Sequence, residues 1–156
     1  MILFLVACLV FVTDWISKLW VRQNFPPGVS IPLIEDFLYL TWLENSGFFF
    51  GLVSLKKSLS IPANLLVILC LIVLGSRISQ KSGWARIGLG LMIGGAGGNF
   101  WDRVGDGRVT DFLDFRLWPV FNLADTAICA GVAIFILAFL MPICSTGVPK
   151  ISSGCY

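Results

Sequence analysis

Four long apolar runs alternate with shorter segments in which the polar residues collect. About 20 apolar residues suffice to cross the hydrocarbon core as a helix. The runs predict spans at about 1–21, 59–78, 84–101 and 121–143. The first opens MILFLVACLVFV and reaches Asp14 and Lys18 only near its far end. A cleaved leader is the competing reading, but the run lacks a basic start and a small-x-small cleavage site ahead of a polar sequence. Leu5-Val6-Ala7-Cys8 resembles a lipoprotein processing box, yet the residues before the cysteine are too few to form a leader.

Residues 23–57 break the helical pattern. Pro26, Pro27, Gly28 and Pro32 interrupt it. β-branched and aromatic residues then mix with the turn-forming Asn45-Ser46-Gly47, which predicts a small extended platform. Leu38, Leu40, Trp42 and Phe48–Phe50 make it too apolar for bulk water, so it is expected to lie on the bilayer surface. The third run carries Gly88, Gly90, Gly94, Gly95, Gly97 and Gly98. Such small residues let helices approach closely, and the absence of a following Lys-Ser/Thr argues against a phosphate loop. A polar link at 102–119, with an Asp106-Gly107 turn, precedes the fourth run, and a short tail closes the chain.

The predicted fold is an all-α membrane protein of four transmembrane helices with a small extramembrane β-platform after the first span. Residues 1–156 form one polytopic membrane domain. Composition supports this class: 57% of the 156 residues are hydrophobic and 13% charged, against roughly 25% charged in soluble domains. A net charge of +2 without a basic patch argues against nucleic acid as a partner. The chain has no histidine, which removes Ser–His and Cys–His nucleophile systems. Five cysteines without CxxC spacing point to no disulfide framework.

Charge placement narrows the chemistry. All nine acids lie within 14–44 or 102–125, which a four-span layout gathers at one end of the bundle. A transport path needs polar groups through the whole membrane thickness, so this pattern favours a shallow site near one interface. Counting Lys and Arg does not orient the chain, because both faces carry them. Two aspartates in a low-dielectric pocket can share one proton and divide general-base and general-acid work. Asp125, in the first turn of the fourth span, is one candidate. Its partner is Asp102, Asp111 or Asp114, and spacing does not choose among them. The competing reading is a non-enzymatic membrane protein whose acids form structural ion pairs, with Asp102–Arg103, Arg108 and Arg116 close in sequence. Asp14 and Lys18, four apart, read either as a neutralising pair with Lys18 and Arg22 snorkelling outward, or as support for a nearby site. Asp102–Asp106–Gly107 faintly echoes a calcium loop, but its alternating acids and terminal Glu are missing.

Five motifs in order make the chain resemble the bacterial lipoprotein signal peptidases (signal peptidase II), an aspartyl intramembrane protease family. They are Asp14-x-x-x-Lys18, Asn45-x-Gly47, Gly94-Gly95-Ala96-x-Gly98-Asn99-x-x-Asp102-Arg103, Val109-x-Asp111-Phe112 and Phe121-Asn122-x-Ala124-Asp125. The resemblance implies a catalytic pair of Asp111 and Asp125. It implies that Asn45, Asn99, Arg103 and Asn122 hold substrate and shape the site, and that Asp14, Lys18, Gly47 and Asp102 support it. The implied activity is cleavage of a prolipoprotein before its diacylglyceryl-modified cysteine, with no cofactor and no metal, blocked by globomycin. The implied partners are such precursors and membrane lipid, with the chain acting as a monomer. The implied location is the bacterial inner membrane, with cytoplasmic termini and a site toward the periplasmic or outer face. Trp15, the bulky Phe48–Phe50 and a tail reduced to Lys150 depart from the family pattern, which bears on substrate fit rather than on the pair.

Overall fold

In a computed structural model, residues 1–48, 53–54, 57–77 and 83–140 are described. The elements run α1 (Ile2–Asn24), β1 (Ser30–Ile34), β2 (Leu38–Asn45), β3 (Gly47–Phe48), β4 (Val53–Ser54), α2 (Lys57–Arg77), α3 (Gly83–Gly105), β5 (Val109–Asp114) and α4 (Leu123–Leu140). Each apolar run is therefore a helix within a few residues of the expected ends. Phe49 and Phe50, most of the turn after α2 and the C-terminal tail lie outside the described residues.

Among the described residues, three helices, α1, α2 and α4, are long and apolar enough to cross a membrane. They point large side chains such as Phe4, Leu66 and Phe139 outward. Apolar surface on this scale has no place in water. The third run differs. α3 is central, packing against α1, α2 and α4, and its glycines hold down its hydropathy while letting those neighbours in. A Cβ on Gly95 would drive into the Ala124 carbonyl oxygen, and one on Gly94 would meet the Ala7 carbonyl oxygen at 2.6 Å. Both neighbours are backbone and cannot turn aside, so only glycine permits the α3–α4 and α1–α3 crossings at these points.

The platform has a strand that the sequence pattern did not predict. β1, β2 and β5 form an antiparallel sheet in that order, so the link after α3 supplies its third strand. Leu40 pairs with Leu113 and Leu43 with Asp111, which leaves one extra residue on β2 between them. This bulge resets the register and brings Asn45 beside Val109, diagonal to Asp111. The chain then folds back. Phe121 exchanges backbone hydrogen bonds with Leu113 at 2.7 and 3.0 Å, which sets the start of α4 against β5. Val21, Leu40 and Phe112 form the cluster that fastens sheet to helix, with Trp42 and Leu123 packed on it.

Candidate active site

Three facing elements build the site: β5, the N-terminus of α4 and the C-terminal half of α3. Asn122 caps α4, its side-chain oxygen accepting the Asp125 N–H at 2.9 Å, the expected use of an asparagine at a helix start. The Ala124 N–H donates instead to Asp14 Oδ1 at 2.9 Å. An α1 carboxylate thus satisfies a second open donor of α4 and sits at the positive end of its dipole.

The amide nitrogen of Asn122 donates to Asp111 Oδ1 at 2.7 Å, and Asn45 donates to the other oxygen, Asp111 Oδ2, at 2.8 Å. Asn99, one helical turn before Arg103 on α3, donates to Asp125 Oδ1 at 2.8 Å. Its own oxygen accepts from Lys18 Nζ at 3.0 Å and from Asn122 at 3.2 Å. Asn122 therefore touches both arms of the site: the carboxylate on β5 and the backbone of Asp125. Burial pushes the Asp111 carboxyl up to about 7 and the charge of Asp125 adds to this, while the Asn45 and Asn122 amides pull the other way. Asp111 is 2% exposed and Asp125 is half-buried.

Asp14, Asp102, Asp106, Asp114 and Glu44 instead face cations. Lys18 Nζ lies 2.7 Å from Asp14 Oδ2, as an ion pair rather than an aligned hydrogen bond, and 3.0 Å from Asp102 Oδ2. Arg22 bridges Asp102 at 3.0 Å and Asp106 at 2.8 Å, and donates to the Thr110 hydroxyl at 2.7 Å. These contacts leave the faint calcium-loop pair facing a guanidinium. Lys18, at 2% exposure, points inward rather than snorkelling. Asp114 turns to the opposite face of β5, accepting from Thr41 at 2.9 Å and lying 3.6 Å from Arg116. Arg108 pairs with Glu44. Asp111 and Asp125 stand apart because neutral asparagines hold them.

The other expected site residues fall around this pair. Arg103 is buried, donates to the Asn99 carbonyl at 3.2 Å and brings positive charge near Asp125, Asp111 and Asp102. Gly47 pairs with Ser54 to open the short β3–β4 ribbon, beyond Asn45. Trp15 is exposed on α1. One contributor was not singled out from the sequence, and a second, Arg22, was expected only to snorkel outward. Thr110 offers its carbonyl to Asn122 and its hydroxyl to Arg22, and Arg22 ties α1 to the link. No local signal pointed to Thr110, because its strand is revealed only by pairing with β2.

Comparison with known proteins shows the family. The family model described as signal peptidase (SPase) II matches residues 6–141. The chain belongs to the signal peptidase II family. Among its relatives, the lipoprotein signal peptidase of Moorella thermoacetica is 42% identical over 138 residues, covering 88% of this chain and 92% of the relative. That of Syntrophomonas wolfei is 47% identical over 133 residues, covering 85% and 89%. A solved bacterial membrane enzyme superposes with a TM-score of 0.82 at 30% identity, covering 88% of this chain and 87% of the other. A signal peptidase II fold therefore surrounds the amide-held carboxylates, in a bacterial membrane protein of a peptidase family.

Proposed function

We propose that this chain is an aspartic endopeptidase that removes the signal peptide of diacylglyceryl-modified prolipoproteins, cutting before the lipidated cysteine, with Asp111 and Asp125 as its catalytic pair. One observation carries the reading. Of the acids at the polar end, these two are held by asparagine amides, whereas Asp14, Asp102, Asp106 and Asp114 face Lys or Arg. A structural ion-pair protein has no use for two neighbouring buried carboxyls gripped by amides in this way. A hydrolase does, because the two groups share one proton and titrate as a unit.

The ionised member takes a proton from water as the oxygen attacks the scissile carbonyl carbon. The protonated member donates a hydrogen bond to the developing oxyanion. Collapse breaks the C–N bond, and the proton gained from water passes to the leaving amine. The products are the carboxylate end of the signal peptide and the α-amino group of the lipid-bearing cysteine. The resting amides of Asn45, Asn99 and Asn122 fix the carboxylates, and exchange of one such bond for the substrate backbone supplies the positioning. Arg103 balances the charge beside them.

The same reading gives the setting. α3 joins α1, α2 and α4 as a fourth membrane-crossing helix, shielded by its neighbours, so residues 1–156 make one membrane domain in the inner membrane. The termini face the cytoplasm and the site faces the periplasmic or outer side. A substrate bearing acyl chains then enters from the bilayer beneath the apolar platform, and one copy of the chain suffices. Cleavage of a lipidated precursor by the purified chain is the test. It should be blocked by globomycin and fall at least about 10³-fold in both Asp111→Asn and Asp125→Asn, each still folded. Cleavage retained in either folded variant refutes the catalytic pair.

A further inference from the structure

We propose that Lys18 is a positioning residue for hydrolysis, acting on Asp125 through the side-chain amide of Asn99; this rests on Asp111 and Asp125 being the catalytic pair. An ammonium has three protons to donate and nothing to accept with. Around Lys18 Nζ stand three acceptors: Asp14 Oδ2 at 2.7 Å, Asp102 Oδ2 at 3.0 Å and Asn99 Oδ1 at 3.0 Å. Neutralising Asp14 requires only the first. Asp102 has Arg22 as well. The bond to Asn99, a neutral group, adds nothing to charge balance, yet it connects Lys18 with the pair.

The connection works through the two ends of one amide. Oxygen and nitrogen of an asparagine side chain are nearly the same in shape, so packing alone does not choose which end faces which neighbour. A cation does choose. With Lys18 on one side, the oxygen of Asn99 must face it. The nitrogen must then face Asp125, to which it donates at 2.8 Å. Asn122 adds a second donor to the same oxygen at 3.2 Å and holds the amide the same way round. A flipped Asn99 would present oxygen to oxygen, a contact that Asp125 tolerates only when it carries a proton. Lys18 thereby excludes the arrangement in which Asp125 is kept protonated.

Each element packed around Asp125 contributes charged or polar groups: Asp111 on β5, Asn99 and Arg103 on α3, Lys18 and Asp14 on α1, and Cys129 one turn along α4 itself. Lys18 and Arg103 are the cations among them. Lys18 differs from Arg103 in reaching the carboxylate through a side-chain amide whose orientation it sets.

The test removes the cation and one anion together, so that no new net charge is buried. Asp14→Asn keeps an oxygen for the Ala124 N–H and serves as the reference. Against it, Asp14→Asn/Lys18→Met in full-length purified protein should lower kcat about tenfold or more with KM little changed. The acid limb of its kcat–pH profile should move up by about half a pH unit or more, because the first ionisation of the pair loses a stabilising donor and a cation. A second variant, Asn99→Ser, leaves the Asp14–Lys18–Asp102 cluster intact but cuts the link, and should move the same limb in the same direction. In the Asn99→Ser background, Asp14→Asn/Lys18→Met should lower kcat no further than Asp14→Asn does, since residues acting through one another are not additive. A packing role alone would lower the rate without moving the limb, and would add to Asn99→Ser. An unmoved limb in Asn99→Ser overturns the proposal even if the Lys18 variant does not fold. Asp111→Asn and Asp125→Asn run alongside: cleavage surviving there refutes the pair itself, whereas its loss there beside unmoved profiles refutes only the role of Lys18.

Discussion

The Asn122 side chain stands 2.7 Å from Asp111 through its nitrogen, and through its oxygen it caps the helix whose first turn carries Asp125. One buried amide thus fixes a strand carboxylate and a helix carboxylate relative to each other. This relationship joins the fold to the chemistry: moving α4 against β5 by about an ångström stretches one of the two bonds beyond hydrogen-bond reach.

The two ends of Asn122 can be separated experimentally. Asn122→Ser retains an oxygen suited to helix capping but has no amide nitrogen to reach Asp111. Its thermal midpoint should stay within a few degrees of the parent. Its kcat should fall about 100-fold, as for a misplaced catalytic group. Asn122→Ala loses both functions and should additionally lose about 1 kcal/mol of stability. If Asn122→Ser cleaves precursor at the parent rate, the bond to Asp111 has no role in catalysis.

Asp111 also makes stability depend on pH. Its carboxyl titrates at about 7 in the folded chain, against about 3.9 when unfolded. Between those values the folded chain holds a proton that the unfolded chain has released, so stability present below pH ~4 is lost as the pH rises through 7. The difference corresponds to at most about 4 kcal/mol. Asp111→Asn abolishes it. In a melting series the variant should exceed the parent by about 5 °C or more at pH 8, and the gap should close toward pH 4. A gap independent of pH would mean that the carboxyl titrates normally in the fold.

Much of this was legible in the sequence, for reasons that particular residues make plain. Apolar run length located the four helices because a long hydrophobic helix needs little tertiary information. The polar end was visible because carboxylates beside hydrocarbon are rare. Choosing among Asp102, Asp111 and Asp114 was another matter, since that choice depends on which way each side chain faces. Asp111 and Asp114 are three apart on a strand, and period-two geometry sends them to opposite faces. Only the pairing of β5 with β2 reveals that strand, and long-range pairing leaves no local trace in a link that reads as a polar turn. Asp102 looks toward α1 and meets Lys18 and Arg22, a contact across some eighty residues. The family motifs supplied the choice that spacing could not.

α3 offers a test of how closely the site depends on helix packing. A Cβ at Gly95 would press on the Ala124 carbonyl oxygen and lie 2.9 Å from Ile128 Cγ1. The backbone cannot yield there, so Gly95→Ala must push α4 away from α3. The same displacement parts Asn99 from Asp125. Gly95→Ala should therefore lower the thermal midpoint, by an amount matching about 1–3 kcal/mol of overpacking, and cut cleavage more than tenfold. Gly97→Ala is the control. Its added methyl meets only Phe11 Cδ2, at an ordinary 3.6 Å, and replacing glycine inside a helix gains about 0.5–1 kcal/mol. That variant should melt at or above the parent temperature and cleave normally. Equal behaviour of the two variants would show that the α3–α4 contact does not set the distance between the site's two halves.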